Sequence, residues 1–151
     1  MAESHEIPEG VDENYENEAA RAALVAFTAT PDYEHLATFL NALRDGYLVV
    51  DVTGTSTKKK GPRVRTIRST KGQLVLPVFT SMAELRALAP ATGGEELKGA
   101  IMPARAALSL ITADRFVAAE FDKASAALVC LRKFIMLVLG EDEITAESLQ
   151  A

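Results

Sequence analysis

Two apolar stripes of helical period open the regular part of the chain. From Glu18 onward, Ala20, Ala23, Leu24 and Phe27 recur at the 3.6-residue spacing, with Asn17 placed to cap the start and Ala29 near the end. Thr30 is expected to cap a second helix with Pro31 at its first position; Tyr33, Leu36, Phe39, Leu40 and Leu43 form its stripe, and Arg44 and Gly46 close it. The pattern then changes to that of strands. Tyr47 to Thr53 is short and rich in β-branched residues, and a polar loop follows from Gly54 to Pro62. Val64 to Arg68 and Leu74 to Phe79 flank the turn Ser69-Thr-Lys-Gly72, where glycine supplies the positive φ of a hairpin. Leu74, Leu76 and Val78 alternate with Val75, Pro77 and Phe79, so both faces of that strand are apolar. Such a strand belongs inside a sheet, yet Pro77 has no N–H and argues for an edge or a bulge.

Ser81-Met-Ala-Glu84 matches a capping box, in which the serine hydroxyl accepts from the backbone N–H of the glutamate, and it starts a short helix to about Leu88. Pro90 to Gly94 breaks the chain, and Pro103 to Ile111 reads as an alanine-rich helix. Phe116 to Phe121 and Ala126 to Leu131 flank the turn Asp122-Lys-Ala-Ser125, and Lys133 to Leu139 forms a closing helix before Gly140. This order gives an α+β single domain over residues 18–140: a mostly antiparallel, mixed sheet of about five strands with helices packed on it. Residues 1–17 read as a flexible acidic arm and residues 141–151 as an acidic tail.

Composition changes little in this picture. A chain of 151 residues with 48% hydrophobic and 25% charged residues suits one globular domain. No apolar run approaches the roughly 20 residues of a membrane helix. The first residues are acidic, unlike a secretory leader, and the single cysteine, Cys130, has no partner for an internal disulfide; both point to a cytoplasmic protein.

Chemistry is sparse. Nucleophile elbows, paired cysteines, His-Glu-x-x-His and Gly-x-Gly-x-x-Gly are all missing. Gly54-Thr-Ser-Thr-Lys-Lys-Lys-Gly61 has its lysines before the second glycine, the reverse of a phosphate loop. His5 lies in the acidic arm, His35 sits beside a helical stripe, Cys130 has the setting of a small core residue, and Glu120 and Asp122 are expected to be solvated acids at a strand end. No catalytic residue, metal ligand or cofactor is assigned, and the chain is not expected to be an enzyme.

Charge is more distinctive. Lys58, Lys59, Lys60, Arg63, Arg65, Arg68 and Lys71 fall in one hairpin region with no acid between Asp51 and Glu84; with seven positive charges there and −5 overall, the rest of the chain carries −12. A solvated hairpin accounts for this, and so does docking of an acidic protein partner or of the chain's own arm. Nucleic acid is disfavoured, because no aromatic side chain interleaves the cations for stacking and the acidic remainder repels phosphate.

The segment Leu40-Asn-Ala-Leu-Arg-Asp-Gly-Tyr-Leu-Val-Val50, followed by Leu76-Pro-Val-Phe-Thr-Ser81 and a short helix, resembles the SseB N-terminal domain family of bacterial proteins. The resemblance implies a small cytoplasmic α+β domain without an enzymatic activity or cofactor. The chain departs from the family's late Asn-Pro, carrying Leu131-Arg-Lys133 instead. Two classes of function follow as expectations. One is a non-catalytic interaction or scaffold domain, forming a homodimer or docking an acidic partner through a sheet edge or through Lys58, Lys59, Lys60, Arg63, Arg65 and Arg68. The other is a small-ligand sensor that binds an anion or amino acid at the corner Phe79, Thr80 and Ser81, where a helix N-terminus offers amides.

Overall fold

The computed structural model describes residues 15–52, 67–68, 71–88, 98–113 and 115–150, with Ile67 and Arg68 described through their backbone pairing alone. Helices α1 (Glu18–Ala29) and α2 (Tyr33–Ala42) come first. Strands β1 (Tyr47–Asp51), β2 (Ile67–Arg68) and β3 (Leu74–Val78) follow, then the short α3 (Met82–Arg86) and β4 (Gly99–Pro103). The second half holds α4 (Ala104–Ser109), continued as a 3₁₀ turn over Leu110–Ala113, then β5 (Ala118–Phe121), β6 (Leu128–Leu131), α5 (Arg132–Leu139) and α6 (Ala146–Gln150). The α+β class expected from the sequence is the observed one. No described helix is long and apolar enough to cross a membrane.

The strands form two sheets instead of one. A four-stranded sheet has the order β2-β3-β5-β6, in which only β3 and β5 run parallel; β1 and β4 form an antiparallel pair of their own. A single bridge joins the two: Val49 and Phe79 exchange N–H···O bonds of 2.9 Å in both directions. Phe79 therefore turns its backbone groups away from β5, and so does Pro77 two residues earlier. On that edge β2 pairs with Leu74 and Val75, and β1 with Phe79. Pro77 lies between these pairings, where the edge of β3 passes from one neighbour to the other, so its missing N–H breaks neither bridge nor the β5 ladder. A proline within an interior strand is explained by this fork.

The core fills the space between the helices and one face of both sheets. Leu24 of α1, Phe39 and Leu40 of α2, Leu48 and Val50 of β1, Leu76 and Val78 of β3, Phe121 of β5 and Ile135 and Val138 of α5 are fully buried in it. Phe39 and Phe121 meet edge to face with centroids 5.1 Å apart. A smaller cluster of Val49, Phe79 and Leu85 lies on the other side of β1.

Four local expectations are corrected. Asp32, not Thr30, caps α2: its carboxylate accepts from His35 N at 2.8 Å, and that bond together with the 2.7 Å contact to His35 Nδ1 holds its pKa below the ordinary range. Strand β4 does not stand out in the sequence pattern, because Gly-Ala-Ile-Met-Pro is short and Pro103 reads as the start of the following helix; Pro103 instead ends the strand and precedes α4. The acidic arm ends earlier, since Tyr15, Glu16 and Asn17 are packed against the domain: Asn17 N donates to Thr80 O at 2.7 Å and Met82 N to Tyr15 O at 3.1 Å. Residues 1–14 lie outside the described part. The tail is likewise part of the fold, as Ile144 and Leu149 are buried in the core and Ile144 O accepts from Asn41 Nδ2 at 2.8 Å.

Gly99 of β4 is the tightest glycine among the described residues. A Cβ there would lie 2.7 Å from Leu85 Cδ2 and 2.9 Å from Val49 Cγ1, both buried. Gly99→Ala is expected to lower unfolding free energy by about 1–3 kcal/mol through overpacking, read as a lower urea midpoint; an unchanged midpoint would show that the small cluster has room to yield.

Candidate functional site

The corner at Phe79-Thr80-Ser81 is where the chain leaves β3 and enters α3. Phe79 is fully buried and Thr80 and Ser81 are buried with it. Ser81 Oγ accepts from Glu84 N at 3.1 Å, the bond that the capping pattern predicts. Thr80 does something the sequence did not announce. Its N–H and its hydroxyl donate to the two oxygens of Asp122, at 2.8 and 2.7 Å. Asp122 is 0% exposed and follows β5 with φ of 51°, a left-handed conformation that aspartate tolerates better than most residues.

A third bond balances the charge. Arg21 of α1 places Nη1 2.6 Å from Asp122 Oδ2 and Nη2 3.5 Å from Glu84 Oε2. The hydroxyl of Ser125 closes the ring, donating to Glu84 Oε1 at 2.6 Å and accepting from Arg21 Nη1 at 3.2 Å. One carboxylate thus ties together α1, the end of β3 and the β5–β6 turn, with Glu84 of α3 at the rim. No buried side-chain polar atom lacks a partner among the described residues. This corrects the expectation that Asp122 is a solvated acid. Glu120 does not join it; its carboxylate lies 3.5 Å from Lys123 Nζ at the surface.

These bonds decide what the corner offers to a ligand. The N–H groups of Thr80, Met82 and Glu84 are already taken by Asp122, Tyr15 O and Ser81 Oγ. The helix behind them has five residues, one short turn. The arrangement is a structural clasp. Among the described residues there is also no group of three or more His, Cys, Asp or Glu side chains arranged to hold a metal. His35 is a surface residue bonded to Asp32. Of the proposed cationic contacts, Lys58, Lys59, Lys60, Arg63 and Arg65 lie outside the described residues, and Arg68 is placed only as a residue of β2.

A different surface emerges at the opposite edge of the sheet. Strand β6 pairs with β5 and with no other described strand. Its ladder can be read from one bond: Arg132 N donates to Val117 O at 2.9 Å, one step past the Ala118–Leu131 pair. Antiparallel ladders alternate, so Leu128 and Cys130 bond to β5 while Val129 and Leu131 turn N–H and C=O to the free edge. The side chains of those two residues are 53% and 50% exposed. Beside them runs a groove of about 200 Å³ lined by Phe27, Leu36, Phe134 and all four residues of β6. It adjoins a second hollow of about 310 Å³ reaching Pro31, Asp32 and Tyr33. Cys130 is buried, and burial pushes its thiol up to about 12. Local pattern does not reveal this edge, because Leu-Val-Cys-Leu reads as an interior strand as readily as an outer one.

An α+β domain whose Leu-Pro-Val-Phe-Thr-Ser segment carries a buried clasp at the end of an interior strand is therefore the class defined by the fold. The family model of the SseB protein N-terminal domain matches residues 21–129, and the chain belongs to that family. No curated protein and no solved structure matches the chain.

Ser81→Ala is expected to lower stability by roughly 1 kcal/mol through loss of the cap. Asp122→Ala removes the acceptor of three bonds, leaves the buried Thr80 N–H unpaired and strips Arg21 of its shortest contact, for a loss of about 3–5 kcal/mol, tempered by the partial exposure of Arg21 and its remaining contacts to Glu84 and Ser125. Chemical denaturation checks both, and equal losses would contradict the central place of Asp122. Cys130 is expected to resist alkylation at pH 8 in the native protein and to react once denatured; rapid native labelling would show that β6 opens.

Proposed function

We propose that the chain is a non-catalytic, cytoplasmic protein-interaction module that docks partners by strand addition along β6. The observation that carries this reading is the coincidence of three properties on one element. Among the described residues the edge turns backbone groups of Val129 and Leu131 away from its one neighbouring strand, the same residues expose half of their apolar side chains, and a groove with aromatic walls runs alongside. Strand addition uses such parts: main-chain hydrogen bonds give affinity, and pockets for alternate side chains give selectivity. Proteins usually blunt a sheet edge with charges, prolines or a covering loop. Leu128 to Leu131 carries no charge and no proline.

The sensor reading receives less support, since the amides that an anion would need at Thr80, Met82 and Glu84 already hold protein acceptors.

Selection from a displayed library of random peptides tests the proposal. Peptides with apolar residues at alternate positions are expected to bind the native protein, and Val129→Lys is expected to weaken them at least tenfold by placing a charge on the edge. The substituted residue is exposed, so unfolding should not intervene; circular dichroism verifies this. Selection of no peptide sensitive to position 129 would count against docking at β6.

A further inference from the structure

We infer that the occupant of the β6 edge is a second copy of this chain, paired antiparallel about a twofold axis through Cys130. The inference rests on the docking proposal and names its partner. Two residues turn their backbone toward the free edge, Val129 and Leu131, and they lie symmetrically on either side of Cys130. A twofold axis at Cys130 sets Val129 opposite Leu131 of the second copy, and Leu131 opposite its Val129. Both are then hydrogen-bonded pairs, and together they make four N–H···O bonds. No other strand is needed to complete them. The edge is its own complement.

Side chains agree with this register. Each bonded pair places a half-exposed valine against a half-exposed leucine on the same face, the favourable apolar cross-strand arrangement. Charge agrees as well: the register puts Arg132 opposite Leu128 and Lys133 opposite Ala127, so no like charges meet directly across the seam. Lys133 is already held over the Phe134 ring, with Nζ 5.0 Å from its centroid. The area is sufficient for a modest complex. Val129, Leu131 and Tyr33 are each about half exposed, and with the open walls at Phe27 and Phe134 a copy brings roughly 400–500 Å² to the seam. Twice that, about 800–1,000 Å², reaches the lower end of specific interfaces and implies a dimer that dissociates on dilution. An acidic segment is a poorer occupant, because the groove is lined by apolar residues alone and the neighbouring cations Arg132 and Lys133 are engaged by backbone carbonyls and by the Phe134 ring.

Copies of net charge −5 repel one another at long range. The pair should therefore tighten with added salt, as expected of an apolar seam between like-charged molecules.

The test uses the full chain. Its mass is followed by sedimentation from about 10 μM to about 1 mM, the range expected for a weak interface. Amide exchange is read at both ends of that range. The native chain is expected to approach twice its monomer mass at the upper end. The amides of Val129 and Leu131 should slow at least tenfold there, while those of Leu128 and Cys130, already bonded to β5, should not change. Val129→Lys should stay monomeric. Val129→Pro removes one outward N–H without touching the β5 ladder, and it should weaken the dimer at least tenfold while leaving the circular dichroism spectrum unchanged.

A native chain that is monomeric throughout overturns the inference. So does a dimer whose mass and exchange ignore both substitutions, since its interface then lies elsewhere. Peptide selection separates the two levels: ligands sensitive to position 129 with no self-association would leave docking standing and remove only the second copy as its partner.

Discussion

A single buried carboxylate organises this domain. Asp122 has no access to solvent and accepts bonds from Thr80 N, Thr80 Oγ1 and Arg21 Nη1, so the end of β3, the turn after β5 and the first helix are held at one point. Burying such a charge is costly unless its partners are already arranged, and here each partner depends on a different element being in place. The parallel pairing of β3 with β5 brings residues 80 and 122 side by side, since both strands end at the same level. Without that ladder the carboxylate has no site; without the carboxylate the corner has an unpaired amide.

The clasp explains the shape of the corner better than a binding role does. A sequence of strand, Thr-Ser and short helix suggests free amides, yet those of Thr80, Met82 and Glu84 are held by Asp122, Tyr15 O and the Ser81 hydroxyl. Among the described residues, the outer edge of β6 combines an open side of the sheet with exposed apolar side chains. There the open groups belong to the main chain, and the apolar surface belongs to Val129 and Leu131. A rigid interior beside an open edge is a suitable division for a docking domain, because the backbone that receives a partner is already in strand form and little ordering remains to oppose association.

Much of the fold was legible from local pattern. The 3.6-residue stripe of α1, the serine cap of α3 and the strands around residues 47–51, 74–78, 118–121 and 128–131 all follow from spacing and capping chemistry. The misses arose where a residue's role is set by distant neighbours. Pro77 looked inconsistent with an interior strand because nothing local shows that the edge of β3 is shared between β2 and β1. Asp122 looked solvated because a turn aspartate is usually so, and its partners lie 42 and 101 residues away. The candidate site was less legible still, for an edge strand and an inner strand of the same composition differ only in what stands beside them. Val129 and Leu131 became distinctive once the ladder showed which way their backbone points.

The separation of Arg21 from Asp122 has a consequence for how the domain comes into being. A contact across 101 residues closes a long loop, so the tie to Asp122 forms only once the β5–β6 turn is in place, although α1 and α2 pack on each other locally. Until Asp122 is in place, Thr80 lacks its acceptor and β3 lacks its parallel neighbour, so the joining of the first helix to the sheet is a non-local step.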